Sequence, residues 1–374
     1  MISLFQPSVG SAELHMVRDV FEARWLGAGA RVELFEQRLS AYIGRPANEV
    51  LTVSSCTEGL FQTSAALGLG AGDDVVMPTI SFVGAAHAIR SSGARVALCD
   101  VDPRTLNPTV EHIEDAITPT TKALLILHYG GDPGSVTEIA QLARNRGLSL
   151  VEDAACSLGS FSDGKAAGTF GDVGVWSFDA AKLLTTGDGG MIWCRSEELA
   201  SKLRQSIRLG VGTSGLQRRS LSSRWWEIDP LMLGRRATMN DVAAAIGLAQ
   251  LGRLPLFLQR RREIAVAYNR GLAGLPGVTL PERAPSSGAL FYYWIQVAPE
   301  HRDRLAGHLL DEDIYTNFRY WPLHRTTMYR QDRSFPGADR AAATTLLLPV
   351  HQGLSDTDVA SVIAAVRAYS FDTC

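Results

Sequence analysis

The chain has 374 residues, 46% apolar and 20% charged, with a formal net charge of −3 spread over both signs. That makeup excludes a disordered or low-complexity chain and is large enough for two core-forming units. There is no basic block, no aromatic-basic stripe and no run near the roughly 18 apolar residues of a membrane span, so neither nucleic acid nor a membrane is an expected partner.

The opening MISLFQPSVG lacks the charged and apolar regions of a signal peptide, and a cytoplasmic protein is expected. From about residue 50 to 200, short apolar runs alternate with longer amphipathic stretches, the pattern of a mostly parallel sheet covered by helices on both faces. The pattern predicts strands over 51–54, 75–78, 95–99, 123–128, 148–152, 173–178 and 190–194, and helices over 57–67, 83–92 and 136–146, each closing near a glycine. Residues 209–236 are rich in Gly, Ser and Arg around Trp225 and Trp226; they read as a surface excursion with apolar content to cover, for which a subunit interface is one candidate. An apolar helix over 241–251, a basic amphipathic helix over 256–270, and short elements punctuated by Pro and Gly complete the chain. The expected organisation is a large three-layer α/β domain over 1–251, with an N-terminal arm, and a smaller C-terminal domain over 252–374.

Five widely spaced cysteines without a C-x-x-C pair read as reduced thiols, and eight histidines without ligand spacing predict no metal. The only lysines are Lys122, Lys165, Lys182 and Lys202. The first two lie in polar turns and Lys202 on a charged helix face, where solvation is the plain reading. Lys182 stands between an apolar strand and a run of small residues that lets backbone approach a flat ligand. An amine that forms an imine must be desolvated or beside other cations; a structural ion pair is the alternative reading of Lys182.

Glu152 and Asp153 end an apolar strand at the carboxyl edge, where open α/β sheets place ligands. A carboxylate there suits the pyridine nitrogen of pyridoxal 5'-phosphate (PLP); a helix cap or turn is the bland alternative. In SSCTEGL, Cys56 and Thr57 begin a helix and offer amides and a hydroxyl to a phosphate, although N-capping explains Thr57 equally well. Ser177 supplies a further hydroxyl, and Phe82 is either a ring-stacking aromatic or core. His128, after a strand, reads as a cofactor neighbour or a hydrogen-bonded core histidine.

With these residues in view, the chain resembles the DegT/DnrJ/EryC1/StrS family of PLP-dependent sugar aminotransferases. The resemblance runs through RWLGAGARVELFEQRLSAYIG, SSCTEGLFQTSAAL, MPTISFVGAAHAI, LHYGGDP, VEDAACSLGS, GTFGDVGVWSFDAAKLLTTGDGGM, AAAIGLAQL, RYWPLHRTTMY and LLLPVHQGLSDTD. It implies an aspartate aminotransferase-like, fold-type I enzyme, with a smaller α+β C-terminal domain, working as a homodimer with shared active sites. It further implies Lys182 as the Schiff-base lysine and proton carrier, Asp153 as the pyridine-nitrogen partner, Phe82 as the stacking ring, and Cys56, Thr57 and Ser177 as the phosphate cradle. The implied reaction is ping-pong, through the pyridoxamine 5'-phosphate form, from L-glutamate or glutamine to a nucleotide-linked keto-sugar. A dTDP-4-keto-6-deoxyhexose is the preferred acceptor; 3-keto sugars and keto-cyclitols are alternatives. A PLP-dependent sugar dehydratase, with histidine for the lysine, is disfavoured by Lys182.

Three positions depart from the family pattern. Cys156 replaces a Gln or His near the cofactor's phenolic oxygen, Arg236 stands for an asparagine that reaches the neighbouring subunit's phosphate, and Leu183 replaces the asparagine after the lysine. Arg319 and His324 are candidate sugar or pyrophosphate contacts, with surface or packing roles as the alternative.

Overall fold

In a computed structural model, residues 1–212, 224, 226–282 and 288–371 are described. The central sheet contains β1 (Val50–Val53), β2 (Asp74–Pro78), β3 (Arg95–Cys99), β4 (Thr121–Leu127) and β5 (Ser149–Asp153). A small hairpin, β6 (Phe161–Ser162) and β7 (Lys165–Ala166), precedes its last two strands, β8 (Val173–Ser177) and β9 (Gly190–Cys194). The order is β1-β9-β8-β5-β4-β2-β3. Strands β3, β2, β4, β5 and β8 are parallel, and β9 lies antiparallel between β8 and β1. All seven expected strands form within two residues of their expected bounds. Two antiparallel steps return β1 to the common direction, so six strands point their carboxyl ends to one edge.

The helices before the C-terminal region are α1 (Ser11–Glu22), α2 (Ala30–Ile43), α3 (Cys56–Ala66), α4 (Val83–Ser91), α5 (Val110–Glu114), α6 (Val136–Arg146) and α7 (Glu197–Ser206). Strand side chains alternate between two buried faces. In β4, Ala123, Leu125 and Leu127 join a core with Leu60 of α3 and Ile89 of α4, while Leu124 and Ile126 meet Ile139 of α6. These are the three layers that the apolar runs predict.

The two helices expected over 241–251 and 256–270 are one, α8 (Asp241–Leu272), which continues through Pro255. Proline removes one helical hydrogen bond and costs a helix interior about 3 kcal/mol. Burial of Leu254, Phe257 and Leu258 beside it offsets that cost. Among the described residues, α8 is the helix long and apolar enough to cross a membrane; here it packs on α1 and α2 and carries the second core. That core joins Ile264, Tyr268 and Leu272 to the antiparallel pair β10 (Tyr293–Gln296) and β11 (Thr345–Leu348). Helix α9 (Pro299–Asp311) and, beyond α10 (Pro336–Thr344), helix α11 (Asp356–Ala368) complete it.

The boundary expected at residue 252 therefore falls inside a continuous helix, and the handover between cores comes later, between Leu258 and Ile264. Chain order fails at the start too, because Ile2 pairs with Ile314 and packs on the second core. The surface excursion expected over 209–236 lies in part, at 213–223 and Trp225, outside the described residues.

Glu152 and Asp153 at the end of β5 face opposite sides of the sheet. Glu152 is fully buried. Its carboxylate accepts the amides of Gly168 (2.7 Å), Phe170 (2.6 Å) and Gly171 (2.6 Å) and lies 2.8 Å from His128 Nε2. This holds the loop that feeds β8. Replacing Glu152 with alanine strands three buried donors at about 1–3 kcal/mol each. Glu152→Ala is therefore expected to destabilise the protein by at least about 3 kcal/mol, read as a lower urea midpoint with an unchanged slope.

Candidate active site

At the carboxyl edge of the sheet is a cavity of about 440 Å³ lined by residues from six separate segments. Of the residues singled out in the sequence, Cys56, Thr57, Phe82, Asp153, Ser177, Lys182 and Arg319 line it. Each comes from the end of a strand or the turn beyond, apart from Arg319, which is delivered by the C-terminal part of the chain.

The start of α3 forms one wall. Ser55 caps the helix, its hydroxyl accepting from Glu58 N–H at 3.1 Å, and the first helical amide bond runs from Gly59 N–H to Ser55 O. The amides of Cys56 and Thr57 precede that bond at the positive end of the helix dipole. Ser177, at the end of β8, faces the same cavity. Strand β9 can pass this turn only with glycine at 190, where a Cβ would stand 2.7 Å from the Cys56 amide nitrogen. Phe82 is partly exposed and lies across the turn above Gly84, whose Cβ would meet its ring at 2.8 Å.

Asp153 is buried and, among the described residues, accepts a single hydrogen bond, from Ala155 N–H at 3.1 Å. Burial raises its pKa above the ordinary carboxyl value. Lys182 reaches in from the β8–β9 connection, with Nζ 3.6 Å from Cys156 Sγ and 4.7 Å from the centre of the Phe291 ring. Burial opposes its charge, but Cys156, Tyr320, Cys56 and Asp153 outweigh burial and hold its pKa above the ordinary lysine range. The amine is partly buried, and the acidic groups facing it favour the proton. Burial likewise pushes the Cys156 thiol up, so it is neutral near pH 7.

A desolvated carboxylate with acceptor capacity to spare, a helix start with free amides, a flat aromatic wall and a converging lysine fit PLP. Asp153 matches the ring nitrogen, Cys56, Thr57 and Ser177 the phosphate, and Lys182 the aldehyde.

Other expectations are placed elsewhere. His324 does not line the cavity: Nδ1 bonds Thr79 Oγ1 at 2.8 Å, Nε2 is 3.1 Å from Asp339 Oδ1, and its ring stacks on Phe335. These contacts make it a packing residue, the alternative its sequence context left open. Arg236 is exposed and also outside the cavity, its backbone bridged to Arg208. His128 is a buried core histidine held on Glu152, and Leu183 is a core residue beside Trp176 and Phe178. Lys165, expected to be solvated, is half-buried over the Phe170 ring. The four described cysteines are free thiols, as expected.

Sequence reasoning misses Tyr320, Asp179 and Asp188, which also line the cavity, and Tyr292, whose hydroxyl donates to that of Tyr320 at 3.0 Å. The available signals are weak. Tyr320 adjoins Arg319, and Asp188 sits in the small-residue run after Lys182.

The model of the DegT/DnrJ/EryC1/StrS aminotransferase family matches residues 7–367. The dTDP-4-dehydro-2,3,6-trideoxy-D-glucose 4-aminotransferase of Saccharopolyspora spinosa is 48% identical over 365 residues, covering 97% of this chain and 95% of that protein. Among solved structures, the aminotransferase TlmJ from Streptoalloteichus hindustanus is 50% identical with a TM-score of 0.94, covering 98% of each chain. Spr1654 from Streptococcus pneumoniae in its PLP form is 26% identical with a TM-score of 0.89, covering 98% of this chain and 97% of that one.

The raised pKa of Asp153 has a stability consequence. An acid that holds its proton more tightly when folded than at its unfolded value near 3.8 lowers stability as pH rises through the folded value. Asp153→Asn is therefore expected to raise the thermal midpoint of the cofactor-free protein at pH 7, with the gain shrinking toward pH 4, while weakening PLP binding. Paired thermal scans and a PLP titration check both halves.

Proposed function

The chain belongs to the DegT/DnrJ/EryC1/StrS aminotransferase family, and from that premise we propose that it moves an amino group from L-glutamate or glutamine to a nucleotide-linked keto-sugar. The acceptor in this reading is a dTDP-4-keto-6-deoxyhexose, supported by the 48% identity to a 4-aminotransferase acting on such a sugar. The enzyme is PLP-dependent, as its family is.

The observation that carries the reading is the convergence of Lys182, Asp153 and the start of α3 on one cavity. When bound, PLP supplies an aldehyde that takes up an amine and a ring that holds the electron pair left at the substrate carbon. Asp153 would be the acceptor for the ring nitrogen's proton, and its burial would strengthen that bond. The α3 amides and the Thr57 and Ser177 hydroxyls anchor the phosphate. Lys182 would hold the cofactor through its amine and would be the group placed to carry a proton at the reacting carbon. Phe82 fixes the ring plane, and Cys156 presents a neutral thiol where a stronger polar group is usual.

We read the working unit as a homodimer. Trp25 and Phe21 are 60% exposed and Leu233 is 97% exposed, and Leu26 lines a second hollow that shares Asp188 with the active-site cavity. A second copy covering this surface would close the site. Arg236, exposed and in no ion pair among the described residues, is then free to reach the partner's cofactor phosphate.

Incubating the PLP-loaded enzyme with L-glutamate and a panel of nucleotide keto-sugars is expected to yield a 4-amino-6-deoxyhexose from the dTDP-4-keto substrate, read by mass. Amination of only a 3-keto sugar or cyclitol would move the acceptor, and water loss without amino transfer would overturn the reaction. Lys182→Ala should abolish the visible absorption of bound PLP and slow transfer by at least about 10²–10⁴-fold.

A further inference from the structure

The N-terminal arm reaches residues behind the active-site cavity through Phe5. Phe5 stacks on Phe291, with ring centres 5.5 Å apart and planes 11° from parallel. The same Phe291 ring lies 4.7 Å from Lys182 Nζ. On Phe5 rests Arg319, its guanidinium carbon 4.8 Å from the ring centre. Arg261 also lies 5.6 Å from the centre of the Phe291 ring, and of these three cations Lys182 and Arg319 line the cavity.

Lys182 is accounted for by the chemistry above, but Arg319 is not. Its backbone is fixed, since its carbonyl accepts the Tyr129 hydroxyl. Its guanidinium makes no ion pair and no hydrogen bond among the described residues. A carboxylate partner would both hold this group and quench its charge. An aromatic face holds a guanidinium while leaving its N–H fork free for a planar anion.

The arm is built to keep Phe5 in place. Ile2 N–H donates to Asp313 O at 2.6 Å and Tyr315 N–H donates to Ile2 O at 3.0 Å, tying the arm to the segment that leads to Arg319. Leu4 is buried in the large core. Ser8 O accepts from Gln250 Nε2 at 2.7 Å and Arg253 NH1 at 3.2 Å. Phe5 is therefore anchored on both sides.

We propose that Phe5 is a positioning residue that holds the Arg319 guanidinium open in the cavity as the receptor for a carboxylate of the amino-acid donor. This rests on the aminotransferase reading above. In an α-amino acid the carboxylate is bonded to the carbon that carries the nitrogen, so its charge must enter the cavity with the reacting atoms. A nucleotide-linked hexose oxidised at C4 carries its pyrophosphate at C1, across the ring from the reacting carbon. Arg319 shares a cavity with Lys182, which favours the donor.

The test uses the PLP-loaded enzyme and glutarate, a dicarboxylate that cannot transfer an amine, titrated by calorimetry. Phe5→Leu, which keeps bulk but removes the aromatic face, should weaken glutarate binding about 2–5-fold, the equivalent of a cation–π contact of about 0.5–1 kcal/mol. Phe5→Tyr should restore wild-type affinity, and Arg319→Gln should weaken binding at least about 10-fold. The KM for L-glutamate should rise in parallel, with the KM for the keto-sugar unchanged. Unaltered glutarate binding in Phe5→Leu, or a Phe5→Tyr variant as weak as Phe5→Leu, overturns the proposal. So does a keto-sugar KM that rises with the donor's, which would assign Arg319 to the pyrophosphate. If the wild-type enzyme binds glutarate with this pattern but aminates no keto-sugar, the proposed acceptor reaction fails and the carboxylate receptor stands.

Discussion

The active site depends on two adjacent carboxylates that a β-strand sends in opposite directions. At the end of β5 the alternation of side chains turns Glu152 into the protein and Asp153 into the cavity. Glu152 is surrounded by three backbone amides and His128, so its charge is fully met and the Gly168–Gly171 loop is pinned. That loop feeds β8, and β8 ends in Ser177 just before the turn that carries Lys182. Asp153 has one amide donor and otherwise faces the space where a ligand's donor is to come. A saturated carboxylate builds the frame, and an unsaturated one next to it does the binding.

Parallel topology supplies the rest of the convergence. Six carboxyl ends at one edge bring the α3 helix start, Phe82, Asp153, Ser177 and Lys182 together although more than 120 residues separate the first from the last. Glycine makes two of these approaches sterically possible, at 84 beneath Phe82 and at 190 beside Cys56. The large core therefore brings its own cofactor wall. The C-terminal part of the chain adds Phe291, a member of the same large core, beside Lys182, and Arg319 and Tyr320 to the cavity lining.

Around Lys182 the polar groups are mostly neutral. Burial keeps the thiol of Cys156 and the hydroxyls of Tyr292 and Tyr320 protonated. Near pH 7 they act as hydrogen-bonding groups, and Asp153 is the buried carboxyl group on the cofactor side. Arg319 is the positive charge on the substrate side, held by an aromatic ring that leaves its charge unneutralised. The cavity thus has an electrostatic direction before any substrate enters.

What the sequence alone determined was local and periodic. Apolar runs of strand length, amphipathic stretches and Gly-punctuated turns specify the seven strands and helices α3, α4 and α6, because period and turn chemistry are set by neighbours a few residues apart. The residues at strand ends were legible for the same reason, and the motif block around Lys182 identified the chemistry. Tertiary structure decided what depends on distant partners. Pro255 reads as a break until burial on both sides of it makes α8 continuous. His324 looks like a ligand contact until Thr79 and Asp339 claim its two ring nitrogens and Phe335 stacks on the ring. Phe5 carries no signal in its own segment, because its significance lies in two rings' contact and an unpaired guanidinium brought from more than 280 residues away.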